Sequence, residues 1–361
     1  MTRLMHLLLA LAMCAVHLSC AANLQDEKID AYAARFGRLR PVIAVVGENS
    51  STVLSDYVIP YAILARSGLA EVRSVATHAG VLRLPPLTIK PDSSTEVFDG
   101  NYPDGADYVI VPAVMKHDDP ALLAWLVAQA AKGATMVSIC NGSMVLANAG
   151  LTRGHRATGH WSTYKKRVAN HPDTLWIKNR RYVADGKLVS SAGITAAIPV
   201  SLALVEAIGG AARADAMASE LGVDYRGPRH DSDAFHLTAA DGIAAIMNTV
   251  FHVTQDVGVP VAAGVDEIAL SLTADAYEAT LRSRILAVSA SSAPVRTRSG
   301  LMLVPDRVAG QGKRLDLMLP ALGATPSARV AEQLLKDVTL RYGAAAARLV
   351  RLEWEYPWLA Q

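Results

Sequence analysis

Residues 135–150 read TMVSICNGSMVLANAG: an apolar run, one cysteine, then small residues that open an alanine-containing apolar stretch. The run predicts a strand buried on both faces, and the stretch after it a helix, with Cys140 on the tight turn between them. This is the layout of a nucleophile elbow, which holds a reactive side chain at the C-terminal edge of a sheet. Gly142 and Ser143 supply the small neighbours such a turn needs. A thiol at a helix N-terminus meets partial positive charge, which favours the thiolate. The N–H groups of Asn141 and Gly142 are expected to point to the same space and to stabilise a developing oxyanion. An unpaired cysteine is also often just a small buried hydrophobe, and the local pattern leaves both readings open.

Outward from the elbow, strand and helix patterns alternate. Residues 41–46 (PVIAVV), 71–77 and 108–111 (YVIV) read as strands. Residues 56–67, 120–132 and 198–208 read as helices, each stopped by a following glycine. A hairpin is expected over 181–191 with Asp185-Gly186 at its turn, and a polar helical lead-in over 26–39. The alternation predicts a doubly wound, mostly parallel α/β sheet of flavodoxin-like type over residues 40–225.

Beyond the turn-rich stretch 224–233 (DYRGPRHDSD) the pattern restarts. Residues 257–261 and 284–288 read as strands around a helix at 266–277, LMLVP (301–305) parallels LTIKP (87–91), and LDLMLPAL (315–322) parallels ADYVIVPAV (106–114). We read residues 236–361 as a partial second α/β unit, a degenerate copy with no elbow of its own, offset by about 210 residues. Its missing strands would leave an unfinished sheet edge, so it is expected to pack on the first domain or on a second subunit. The apolar residues 243–251 and the aromatic terminus (Trp354, Tyr356, Trp358) are the expected cover.

The chain is 51% hydrophobic and 19% charged with net charge +2, enough apolar content for two cores and no basic tract for nucleic acid. Arg3, the apolar residues 4–18 and Ser19-Cys20-Ala21 read as a signal peptide over residues 1–21, which implies a periplasmic or secreted protein. Membrane anchoring through a lipidated Cys20 stays open. Cys14 and Cys20 fall in that leader, so Cys140 is the single cysteine of the mature chain and no internal disulfide is expected. His155, His160 and His171 form no metal motif, and neither a metal nor another cofactor is expected.

The run SICNGSMVLANAGLTRGHRATGHW (138–161), with VSSAGIT (189–195), resembles the ThiJ/PfpI superfamily. It is most similar to the isonitrile-hydratase-like branch and to the amidotransferase-like sensor domain of AraC-type regulators. The resemblance makes Cys140 the nucleophile, Asp56 of LSDYVIP its proton-managing acid, and His160 a base or orienting group. Asp56 also suits a helix N-cap, and His160 an ordinary packing role. The family's backbone pocket donors correspond to Asn141, Gly142, Ala113 and Gly193. Ala113-Val114 stands where relatives carry paired glycines, and Asn141 where the hydratase branch carries Thr or Ser, so the substrate need not be an isonitrile. No histidine follows the cysteine, which argues against protease chemistry. The expectation is an exported cysteine-dependent hydratase or hydrolase of a small molecule; the alternative is a non-catalytic ligand-binding or redox-sensing domain. A homodimer stays open.

Overall fold

The computed structural model describes residues 27–223 and 227–356. The expected leader, with Cys14 and Cys20, and Trp358 lie outside the described residues. The first unit is a seven-stranded sheet in the order β10-β11-β7-β6-β1-β2-β5. At its centre lie β1 (Val42–Gly47), β6 (Tyr108–Val111) and β7 (Thr135–Ser138). On one side follow β2 (Glu71–Ala76) and β5 (Ser93–Ser94), and on the other the hairpin of β10 (Tyr182–Asp185) and β11 (Leu188–Ser191). Only that hairpin is antiparallel; every other pair in the sheet is parallel. Period-two alternation divides β1 between two cores, Ile43 and Val45 facing one and Val42, Ala44 and Val46 the other.

The strand order reverses between the parallel β1 and β6: β1 leads outward to β2, and β6 to β7 on the opposite side. Loops at such a switch point splay apart and leave a crevice beyond the strand ends. Helix α1 (Leu54–Arg66) starts there and is buried from Leu54 through Leu64. Its all-round apolar sequence, VIPYAIL, suits a helix covered on every side. One cover is α6 (Ala197–Gly209); the other is α9 (Glu267–Glu278) from the second unit.

The second unit has a four-stranded sheet ordered β16-β13-β12-β17, all parallel. Its strands are β12 (Gln255–Pro260), β13 (Ser283–Ser289), β16 (Arg307–Val308) and β17 (Leu317–Met318). The order repeats β5-β2-β1-β6 of the first sheet. The clamps repeat too. Asp92 accepts from the Ser74 N–H at 2.8 Å and Asp306 from the Ala287 N–H at 2.7 Å. Asp107 accepts from the Val42 N–H and Asp316 from the Asp256 N–H, both at 2.8 Å.

The two units are joined through corresponding elements. Helix α1 packs on α9. Strand β15 (Met302–Val304) pairs antiparallel with β4 (Leu87–Lys90), Leu303 opposite Ile89. Arg66 donates to Asp266 at 3.1 Å and Glu267 at 2.7 Å across the contact, with little of these side chains in water. One hydrophobic core runs through both units, from Ile59 to Ile268 and Ile285.

Two expectations are corrected. Residues 27–40 contain no helix. The segment is held by tertiary bonds: Glu27 accepts from Arg156 at 2.5 Å and the Ala184 N–H at 3.0 Å, and Arg35 donates to the Gly133 carbonyl at 2.6 Å. These partners replace the helical ladder. Helix α8 (Ala239–Val250) does not cover an edge with its apolar stripe, since Ile243, Ile246, Met247, Val250 and Phe251 are exposed. The terminal aromatics do pack: Trp354 is fully buried and Tyr356 lies against the same core.

Candidate functional site

Cys140 follows β7 with φ of 55°, in the left-handed region that a side chain rarely occupies. Neighbouring bonds hold it there. Its N–H donates to the Ala192 carbonyl at 3.1 Å, and its carbonyl accepts from Ser143 Oγ at 3.0 Å. Gly142 is required because a Cβ at that position would lie 1.9 Å from the Val111 carbonyl oxygen. Strand, strained cysteine and glycine-led helix α4 (Gly142–Asn148) therefore form the expected elbow.

Asp56 reaches the cysteine from the neighbouring loop. It lies in the first turn of α1 and is fully buried. It is not the N-cap: that position is Val53, which has no capping side chain. Asp56 Oδ2 accepts from the Ala113 N–H at 3.2 Å, while Oδ1 has no fixed hydrogen-bond partner. Burial pushes the Asp56 carboxyl well above the usual carboxylate range; Asp275 and Glu353 push the same way, and the adjacent Cys140 thiol offsets part of the rise.

The thiolate expected from the helix N-terminus is corrected by the same burial. Desolvation raises the Cys140 thiol well above the ordinary range, and Asp56, Glu355 and Glu353 add to the rise. Only the Asn141 N–H opposes them, because the two-turn helix behind it is outweighed by loss of water. Burial thus favours the protonated form of both Cys140 and Asp56.

Of the four expected backbone donors, one faces the thiol: Asn141, whose side-chain Oδ1 accepts from Thr163 Oγ1 at 2.6 Å. The Gly142 N–H donates to the Ile139 carbonyl at 2.8 Å and the Ala113 N–H to Asp56. The Gly193 N–H donates to Glu355 Oε2 at 2.6 Å. These three are committed within the chain. His160 is buried, with Nδ1 2.7 Å from Ser162 Oγ and Nε2 3.2 Å from the Glu353 carbonyl. Both ring nitrogens thus have partners other than Cys140.

Glu355 was not anticipated from the sequence. It ends α11 (Ala344–Trp354) in the left-handed conformation and returns from the second unit into the first unit's site. Its carboxylate accepts from the N–H groups of Trp161 and Gly193, both at 2.6 Å, and lies 3.3 Å from His230. Although burial opposes it, these partners hold Glu355 below the usual carboxylate range. Only a fold that carries the chain's end back to residue 193 brings it there, and no local motif announces it. Asp275 also comes from the second unit: it accepts from the Ser55 N–H at 3.2 Å, and burial raises it to about 7.

Residues 43–207 match the DJ-1/PfpI family. A stretch of 125 residues is 32% identical to the HTH-type transcriptional regulator CdhR of Pseudomonas aeruginosa, over 35% of this chain and 37% of the regulator. A stretch of 93 residues is 37% identical to isonitrile hydratase of Pseudomonas putida, over 26% of this chain and 40% of the hydratase. The chain thus spans less than half the length of these curated relatives. The fold is similar to that of Drosophila melanogaster DJ-1beta, at TM-score 0.47 and 22% identity over 52% of this chain and 100% of DJ-1beta. Residues 43–207 are thus similar to the DJ-1/PfpI family, also written ThiJ/PfpI.

Proposed function

We propose that this chain is a cysteine-dependent hydratase or hydrolase of a small molecule that works outside the cytoplasm, with Cys140 as nucleophile and Asp56 as its proton partner. The observation that carries the reading is the strained Cys140 set beside a buried Asp56 whose Oδ1 has no fixed partner. Because burial favours the neutral form of both groups, the step that suits them is a relay that creates no buried charge. Sγ bonds to an electrophilic carbon, Asp56 gives its proton to the substrate, and the thiol proton passes to Asp56. Water then displaces sulfur, its hydroxyl going to carbon and its proton restoring the thiol, so the net change is addition of water. The similarity to isonitrile hydratase supports a hydratase over a peptidase.

The repeated strand order and aspartate clamps support reading residues 236–361 as a degenerate partial copy of the first domain. The export reading rests on the leader pattern alone. A ligand- or redox-sensing role is the second reading, favoured by Glu355 filling the Gly193 and Trp161 amides and by the similarity to a regulator. Turnover of a small isonitrile and nitrile panel, followed with Cys140→Ser and Asp56→Asn, separates them. Hydration lost in both variants supports the enzyme. Asp56→Asn that lowers only thermal stability, with thiol alkylation keeping its pH profile, refutes the relay.

A further inference from the structure

A cleft of about 490 Å³ opens between the two units, a size suited to a small-molecule ligand. The first unit contributes Leu54, Met115, His160 and Trp161, and the second Leu237, Leu281 and Leu352. Its walls are mainly apolar, and its ionisable lining apart from His160 is acidic: Asp275, Glu278 and Glu353. No lysine or arginine is among the described residues that line it. The cleft adjoins the thiol site. Glu353 acts electrostatically on both Cys140 and Asp56, Asp275 acts on Asp56, and Ile194 in the wall follows the Gly193 held by Glu355.

We infer that this cleft is a binding site built from both units, which takes a small molecule with an apolar body and a cationic head, the head accepted by Asp275 and Glu353. The apolar walls supply area for the body. The carboxyls attract an ammonium and repel a carboxylate or phosphate of the same size. Neither unit forms the site alone, because His160 stands on one side and both head-group acceptors on the other. Asp275 and Glu278 are raised by burial, so the cleft gains negative charge as pH rises, and its preference for a cation sharpens with it. The inference rests on the catalytic reading only for what happens after binding.

The test is direct binding to the full chain by isothermal titration at pH 8, with 2-phenylethylammonium and 3-phenylpropionate as matched probes. The expected result is an ammonium at least about tenfold tighter than the carboxylate, a net charge preference of about 1.4 kcal/mol. Glu353→Gln, a surface change, should reduce the ratio about threefold, and Asp275→Asn with Glu353→Gln should bring it near one. Equal or reversed affinities in the wild type, no binding of either probe, or a ratio unmoved in the double variant would overturn the inference. Both probes are also titrated into Cys140→Ala. An intact preference there, together with a wild type that hydrates nothing in the isonitrile and nitrile panel, would refute the catalytic reading and leave the binding site standing.

Discussion

Replacing Glu355 by Gln should destabilise the protein and activate its thiol at the same time. The carboxylate accepts two N–H bonds at 2.6 Å, from Trp161 and Gly193, and pairs with His230 at 3.3 Å, all nearly out of water. A glutamine keeps one acceptor oxygen but turns its NH₂ toward the other N–H, so one charge-assisted bond is lost and one buried donor is orphaned. At 1.5–3 kcal/mol for the bond and 1–3 for the orphan, the cost is about 3 kcal/mol after relaxation. That corresponds to a melting temperature lower by several degrees. The thiol responds in the opposite sense. Glu355 is among the charges that push Cys140 upward, so its neutralisation eases ionisation and speeds alkylation. Differential scanning calorimetry and iodoacetamide kinetics at pH 8, with peptide mass spectrometry to assign Cys140, read both effects on one sample. Melting and alkylation that both match wild type would refute the placement of Glu355. A less stable variant whose alkylation is no faster would refute its electrostatic action on the thiol.

Gly142→Ala should abolish the elbow, because a Cβ 1.9 Å from the Val111 carbonyl forces backbone apart; the expected cost is roughly 3 kcal/mol or more with loss of any turnover. Near-wild-type melting and activity would show that the turn adapts. Arg66→Ala leaves the adjacent Asp266 and Glu267 of the second unit without the guanidinium that the first unit supplies, which should cost about 3–5 kcal/mol, and a separate early unfolding transition of the second unit is the sign to seek in calorimetry. Asp275 has a folded value of about 7 against an ordinary 3.8, so the wild type loses stability as pH climbs through that window. Asp275→Asn, which keeps an acceptor for the Ser55 N–H, should melt at a temperature that gains on wild type between pH 4 and 8; a gap that stays constant with pH would contradict a buried, proton-holding Asp275.

Periodicity and punctuation determined the first domain's sheet apart from its short edge strand β5. Its strands are buried on both faces, so they read as short apolar runs, and glycines end the helices between them. The YVIV strand at Tyr108–Val111 and the helix from Pro120 emerge as expected, as do β12, α9 and β13 of the second unit. The elbow was visible for the same local reason: a strand, a cysteine and a glycine within a few residues fix one turn. Residues 27–40 misled because their polar, helix-compatible composition says nothing of Gly133, Arg156 and Ala184, which hold them in place. The site's electrostatics were out of reach for a similar reason. A thiol's ionisation depends on everything that displaces water around it, and here that includes carboxylates from both units. Glu355 lies far along the chain from Gly193 and Trp161, and only the return of α11 across the first domain brings them together. Sequence determines which segments can be strands, helices and a strained turn, because those follow from near neighbours. Which N–H groups stay free, which carboxyls hold protons, and what shape the cleft between the units takes are decided by long-range packing, because burial and charge act through space.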